Sequence, residues 1–156
     1  MSIKWDKKVW KSVSSEVRQQ IHVETERVFQ DIVTMANDTK SGRIYIKHDA
    51  GADPAGRRHQ ASAPGEPWAN DTGNALGNTD TRYEGTNETF VRGVVSLDFP
   101  YALHLELGTE RMSPRPMAVP ALENRRQKII NNIRKAVKRG ITKAGGDPSS
   151  VSVGKG

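Results

Sequence analysis

Apolar positions recur at spacings of three, four and seven along the first forty residues. Trp10, Val13, Val17, Ile21, Val28, Ile32 and Met35 fall within about 100° of one helical face, which predicts a helix over residues 7–37. Glu16, Arg18, Gln19, Glu26, Arg27 and Gln30 fall opposite. A helix that is apolar on one side only is expected to pack on a sheet. The run Asn37-Asp38-Thr39-Lys40-Ser41-Gly42 supplies the stop, with Gly42 free to take a positive φ.

The period then changes. Residues 43–47 (Arg-Ile-Tyr-Ile-Lys) read as a short strand of β-formers. Residues 49–72 lose apolar periodicity altogether and read as a long loop, a length that is uncommon inside a small domain unless functional or disordered. Within it Pro64 and Pro67 stiffen the chain and Trp68 anchors it, either as a local plug or as a contact with a neighbour. Asp71-Thr72-Gly73-Asn74-Ala75-Leu76 reads as a turn opening a short helix, with Asp71 or Thr72 as N-cap. Two strands follow, 81–85 and 89–97, joined by Thr86-Asn87-Glu88 as a hairpin at the centre of the sheet. Gly93 there marks a bulge or a close backbone approach.

Pro100 ends the second strand. Residues 101–107 predict a short helix on which Tyr101, Leu105 and Leu107 pack, with Gly108 at C′. Pro114, Pro116 and Pro120 restrict the approach to a final helix that starts between Pro116 and Pro120 and runs to about Arg139. Leu122, Ile129, Ile130, Ile133, Ala136 and Val137 form its apolar face; Arg125, Lys128, Arg134, Lys138 and Arg139 take the flanks and back. Arg126 falls inside the stripe, so it snorkels or meets a carboxylate. The expected architecture is α+β: a small, mostly antiparallel sheet flanked by a long N-terminal helix and a long basic C-terminal helix. Residues 1–140 make one domain with the long loop 49–72, and 141–156 an extended tail.

Composition sharpens this outline. Apolar residues are 35% of the 156, low for a compact globule, which points to surfaces covered only in an assembly. The net charge of +6 is unevenly placed. Residues 111–143 hold ten Lys or Arg against the single acid Glu123, a local net of +9, whereas residues 1–110 carry a net of −3. Such asymmetry suits nucleic acid or an acidic protein surface; a solvated basic helix face is the plain alternative. There is no cysteine, so no disulfide and no thiolate chemistry, as suits a reducing cytoplasm. Residues 1–11 show no signal-peptide h-region, and no apolar run approaches a membrane span.

Catalytic chemistry finds no pattern to stand on. The histidines His22, His48, His59 and His104 belong to no His-x3-His or carboxylate–histidine cluster by spacing. No phosphate-binding loop, dinucleotide fingerprint or nucleophile elbow is present. The expectation is a protein without catalytic residues, metal or cofactor. The basic helix lacks interleaved aromatics, so it supports only sequence-independent phosphate contact.

Two patches carry a resemblance. The first is Tyr101-Ala102, Glu106, Gly108-Thr109, then Arg115-Pro116-Met117, Pro120-Ala121-Leu122; the second is Ser62-Ala63-Pro64-Gly65-Glu66-Pro67 with Asp71-Thr72-Gly73 and Leu76. In these the chain resembles the neck and tail-completion proteins of long-tailed bacteriophages, with Met117 where that family usually has Phe and Trp68 where Pro is common. With the two long helices the likeness covers most of residues 5–140. The resemblance implies a subunit of a homo-oligomeric ring at the head–tail junction, joining the connector to the tail tube or terminating the tail. The implied partners are the connector or head-closure protein and the tail-tube or tail-terminator protein. DNA in the lumen is a further possible contact, and the location is the virion, after synthesis in the host cytoplasm. Tyr101, Gly108, Thr109, Pro116 and Pro120 then set a structural corner. Arg57, Arg58, Trp68, Glu106, Arg115, Arg126, Arg134 and Lys138 are the candidate subunit or lumen interface, with Glu106 paired to Arg115 or Arg126 or simply solvated. The alternative is a DNA-binding accessory protein that acts through the C-terminal helix.

Overall fold

A computed structural model describes residues 6–47, 56–85 and 90–150. The fold is α+β. In chain order it runs α1 (Lys7–Asp38), β1 (Ile44–Lys47), β2 (Arg57–Gln60), α2 (Asn74–Gly77), β3 (Thr79–Glu84), β4 (Arg92–Leu97), α3 (Ala102–Leu107) and α4 (Ala118–Lys143), with a 3-10 turn at Pro148–Ser150. The strands form two separate two-stranded sheets, β1–β2 and β3–β4, not one sheet with a central hairpin. β1 and β2 are antiparallel, with Ile44 opposite Gln60 and Lys47 opposite Arg57. The connection between β3 and β4 is too short for the crossover that a parallel pair needs. Residues 49–55 of the expected loop 49–72, the hairpin tip 86–89, and residues 151–156 of the expected tail lie outside the described residues.

The chain divides into two compact units. One is built from Met1–Arg27, Thr81–Val94 and Asn124–Gly156, the other from Val28–Asp80 and Val95–Glu123.

In the first unit α1 and α4 run antiparallel: Glu24 pairs with Asn132, and Glu16 with Arg139. They come close because α4 carries a glycine at the contact. A Cβ on Gly140 would lie 2.5 Å from Val13 Cα. Gly140 is therefore buried inside the helix, which continues to Lys143 and does not stop near Arg139. The hairpin lies on α1 in the same manner, since a Cβ on Gly93 would fall 1.8 Å from Thr25 Oγ1. The close-approach reading of Gly93 holds.

The second unit holds the better-packed core. Ile32, Ala36, Met117 and Ala121 have no exposed surface, and Trp68 and Phe99 have almost none. The α1 stripe therefore leads into this core at Val28, Ile32 and Ala36. Asn70 N–H closes the α1 terminus by donating to the Ala36 carbonyl at 2.7 Å. Gly42 does not take the positive φ expected of it; its missing side chain is needed because a Cβ would meet the Ser62 carbonyl at 2.4 Å. α2 begins after Gly73, which takes the N-cap position with φ 83° in place of Asp71 or Thr72; Thr72 Oγ1, one position earlier, still accepts from Asn74 N–H at 3.4 Å.

Several predicted faces turn out differently. Glu16, placed on the polar side of α1, is buried, and so are Glu24 and Thr25, while Trp10 is partly exposed. On α4 the buried positions are Ala121, Ala136, Gly140 and Ile141; Leu122 and Ile130 are exposed, and so is Arg126. Where helices approach closely, alanine and glycine make the contact and the larger apolar side chains sit to either side.

Candidate functional site

The corner between β4 and α4 belongs to the second unit and begins with a run of aromatic contacts. Trp68 meets Phe99 edge-on, with centroids 5.8 Å apart and planes at 77°, and Phe99 meets Tyr101 at 4.8 Å. Trp68 is thus a plug from the loop into the corner. Tyr101 is half exposed, and its hydroxyl accepts from Asn74 Nδ2 at 3.2 Å. After α3 the chain turns at Gly108, whose φ of 78° favours glycine, and Thr109 closes a small bridge with Met112. Arg115 N–H then donates to the Leu105 carbonyl at 2.7 Å.

Glu106 has a role the sequence did not suggest. Its Oε1 accepts from the backbone N–H groups of Met117 at 2.9 Å and Ala118 at 3.2 Å, where α4 starts. The first turn of α4 has no acid of its own, so a carboxylate from the neighbouring helix satisfies its orphan donors and faces its positive end. Glu106 therefore pairs with backbone rather than with Arg115 or Arg126. Pro116 and Pro120 flank this cap, and Pro120 occupies the first turn, where the missing N–H costs little.

The loop and the corner are joined directly: Gly65 N–H donates to the Pro114 carbonyl at 3.0 Å. The Ser41 hydroxyl and the Ala63 N–H both donate to Glu66 Oε2, fixing the loop's bend. Between loop and corner lies a cavity of about 370 Å³ to which Trp68, Tyr101 and Arg115 all contribute. Arg58 lines a different, shallower hollow of about 350 Å³ beside Lys40 and Ile44. Arg57 opens β2 by its backbone, and its side chain lies outside the described residues. Part of the loop expected to be structureless is thus strand β2, held by pairing with β1; a polar Arg-Arg-His-Gln run carries no apolar alternation from which to read it.

β2 and the loop also bring His59 Nδ1 to 3.1 Å from Asp71 Oδ1, a pair twelve positions apart that spacing arguments passed over. Ser62 lines the same cavity, but its Oγ has no hydrogen-bond partner among the described residues, so it is not activated as a nucleophile by His59. Among the described residues no group of three or more His, Asp or Glu could hold a metal ion, and no helix is long and apolar enough to cross a membrane.

Large apolar side chains are exposed around the same corner. Leu103 and Leu107, four residues apart on α3, are 66% and 70% exposed, and Val119 on the first turn of α4 is 64% exposed. Leu107 does not pack as expected. Within the second unit, Tyr101, Leu122 and the β1 residues Ile44, Tyr45 and Ile46 are also exposed.

The remaining interface candidates, Arg126, Arg134 and Lys138, lie on α4 in the first unit. The basic arm is partly neutralised within that unit. Glu16, whose side chain is 9% exposed, accepts from Arg139 Nε at 3.1 Å and from Lys143 Nζ. These bonds, that from Lys143 foremost, hold its carboxyl below the ordinary glutamate range against the opposing effect of burial. Lys128, Lys135 and Lys138 are left exposed on α4 within about 80° of one another. Nearby, His22 stacks on Tyr83 at 3.6 Å, and the Tyr83 hydroxyl donates to Glu26 at 2.6 Å. That hydrogen bond lowers the Glu26 pKa; burial first, then the same bond, raises that of Tyr83.

No family model, curated protein or solved structure matches the chain.

Proposed function

We propose that the protein is a non-enzymatic structural subunit of a phage head–tail junction, forming a homo-oligomeric ring that joins the connector to the tail tube or terminates the tail. One observation carries the reading. The corner whose residues resemble the neck and tail-completion proteins is surrounded by exposed apolar side chains, Leu103, Leu107 and Val119 foremost. Monomeric proteins seldom expose contiguous apolar surface without a use for it, and ring assembly needs apolar patches that a neighbour covers. A two-stranded β1–β2 sheet is marginal alone, and its exposed Ile44, Tyr45 and Ile46 support the same reading. The test is the mass of the purified chain by light scattering, alone and mixed with connector and tail-tube proteins. A ring-sized species is expected; a chain that stays monomeric in every mixture overturns the proposal.

A second reading, a DNA-binding accessory protein, is favoured by the exposed Lys128, Lys135 and Lys138. It requires affinity for duplex DNA that falls steeply with salt and that Lys135→Ala/Lys138→Ala removes. Binding that is indifferent to salt or to those substitutions rejects it.

A further inference from the structure

Two exposed apolar patches stand on different elements of the second unit. On β1, Ile44 and Ile46 alternate onto one face, about half exposed, with their cross-strand partners Gln60 and Arg58 beside them. That face is indented: Ile44, Arg58 and Gln60 line the hollow of about 350 Å³. The other patch is a ridge. Leu103 and Leu107, one turn apart on α3, and Val119 at the start of α4 are the most exposed large apolar side chains among the described residues. The charges around the two patches differ in sign. Lys40, Arg43 and Arg58 are exposed about the β1 face, and residues 40–47 and 57–60 contain no acid. The acid at the hollow's edge, Asp71, is engaged by His59 at 3.1 Å. Residues 98–123 instead hold four acids against Arg111 and Arg115. Of these acids Glu106 caps α4, while Glu110, three positions after Leu107, and Glu123, one turn beyond Val119, are exposed.

We infer that the β1 face of one subunit seats the α3–α4 ridge of the next copy of this chain. Leu103 and Leu107 enter the hollow beside Ile44, and Lys40 and Arg58 meet Glu110. The inference rests on the ring reading and names the two surfaces that the ring joins. A ring closes through heterologous contacts, for which each subunit presents two different, complementary patches. Apolar groups supply the core of such a contact and opposite charges its rim. Pairing of the β1 face with itself would set Lys40 and Arg58 against their own copies, a like-charge juxtaposition that disfavours the symmetric alternative.

The chain has no cysteine, so introduced thiols report contacts between copies without background. Ile44→Cys and Leu103→Cys are made separately and together in the full chain, and treated with a short bismaleimide under the conditions that give the ring-sized species. Neither single variant should link to itself. Their equimolar mixture should give covalent dimers and nothing larger, because each chain then carries one thiol. The double variant Ile44→Cys/Leu103→Cys should give a ladder of linked copies up to the full ring. Ile46→Cys and Leu107→Cys repeat the test at a second position and carry it should a variant of the first pair fail to fold. Dimers formed by one variant alone reveal a symmetric contact and overturn the inference. Rings whose mixed variants yield no dimer also overturn it, and in both cases the ring reading stands. Absence of any ring-sized species, with or without connector and tail-tube proteins, overturns the ring reading and the inference with it.

Discussion

Glu106 shows how a single side chain can matter at a distance from any chemistry. It closes the start of α4 from another helix, so its loss leaves backbone donors unsatisfied. Glu106→Ala is expected to lower the unfolding free energy by about 1–2 kcal/mol in urea denaturation, with Glu106→Gln recovering part of it. Glu16 is a carboxylate of another kind, buried and paired with two cations. Its folded pKa lies below the ordinary value, so its contribution is present in full above the ordinary glutamate range and lost as pH falls through and below it. Arg139 and Lys143 are both half exposed or more, which reduces what the pair is worth. Glu16→Gln should therefore cost about 1–2 kcal/mol at neutral pH and flatten the loss of stability as pH falls through and below the ordinary glutamate range. An acid profile identical to that of the native chain would show the pair to be idle.

At the level of elements, the long helices were legible because their apolar positions repeat over many residues, and β4 because it is a run of β-formers. The α4 start was legible because three prolines leave few places for it. What escaped was carried by small or polar residues. β2 is a polar run made into a strand only by its partner. The α4 contact runs through Ala136 and Gly140, which carry little weight in a search for large apolar groups. The His59–Asp71 pair and the shared cavity of Trp68, Tyr101 and Arg115 depend on a fold that closes the loop onto the corner, which no local spacing encodes. Gly140 gives a test with an unusual sign. Glycine to alanine in a helix interior ordinarily gains about 1 kcal/mol. Here the added Cβ meets Val13 backbone, so Gly140→Ala is expected to lower the thermal midpoint; a higher midpoint would mean that the two helices separate without cost.

For the whole molecule, the exposed leucines of α3 separate folding from assembly. Leu103→Lys/Leu107→Lys removes apolar groups that bury little in the isolated chain. Its unfolding free energy should change by no more than about 0.5 kcal/mol, while the ring-sized species disappears from light scattering. A ring that persists in this variant would move the interface elsewhere. The hydrogen bond from Gly65 to the Pro114 carbonyl has a consequence of another kind. It makes two segments some fifty positions apart a single heritable piece, with Trp68 against Phe99 as a second tie. A recombination crossover placed between them would join a loop from one lineage to a corner from another, breaking a backbone contact and an aromatic fit together. Chimaeras exchanged in one block spanning both segments are expected to fold, and those that split them to fail.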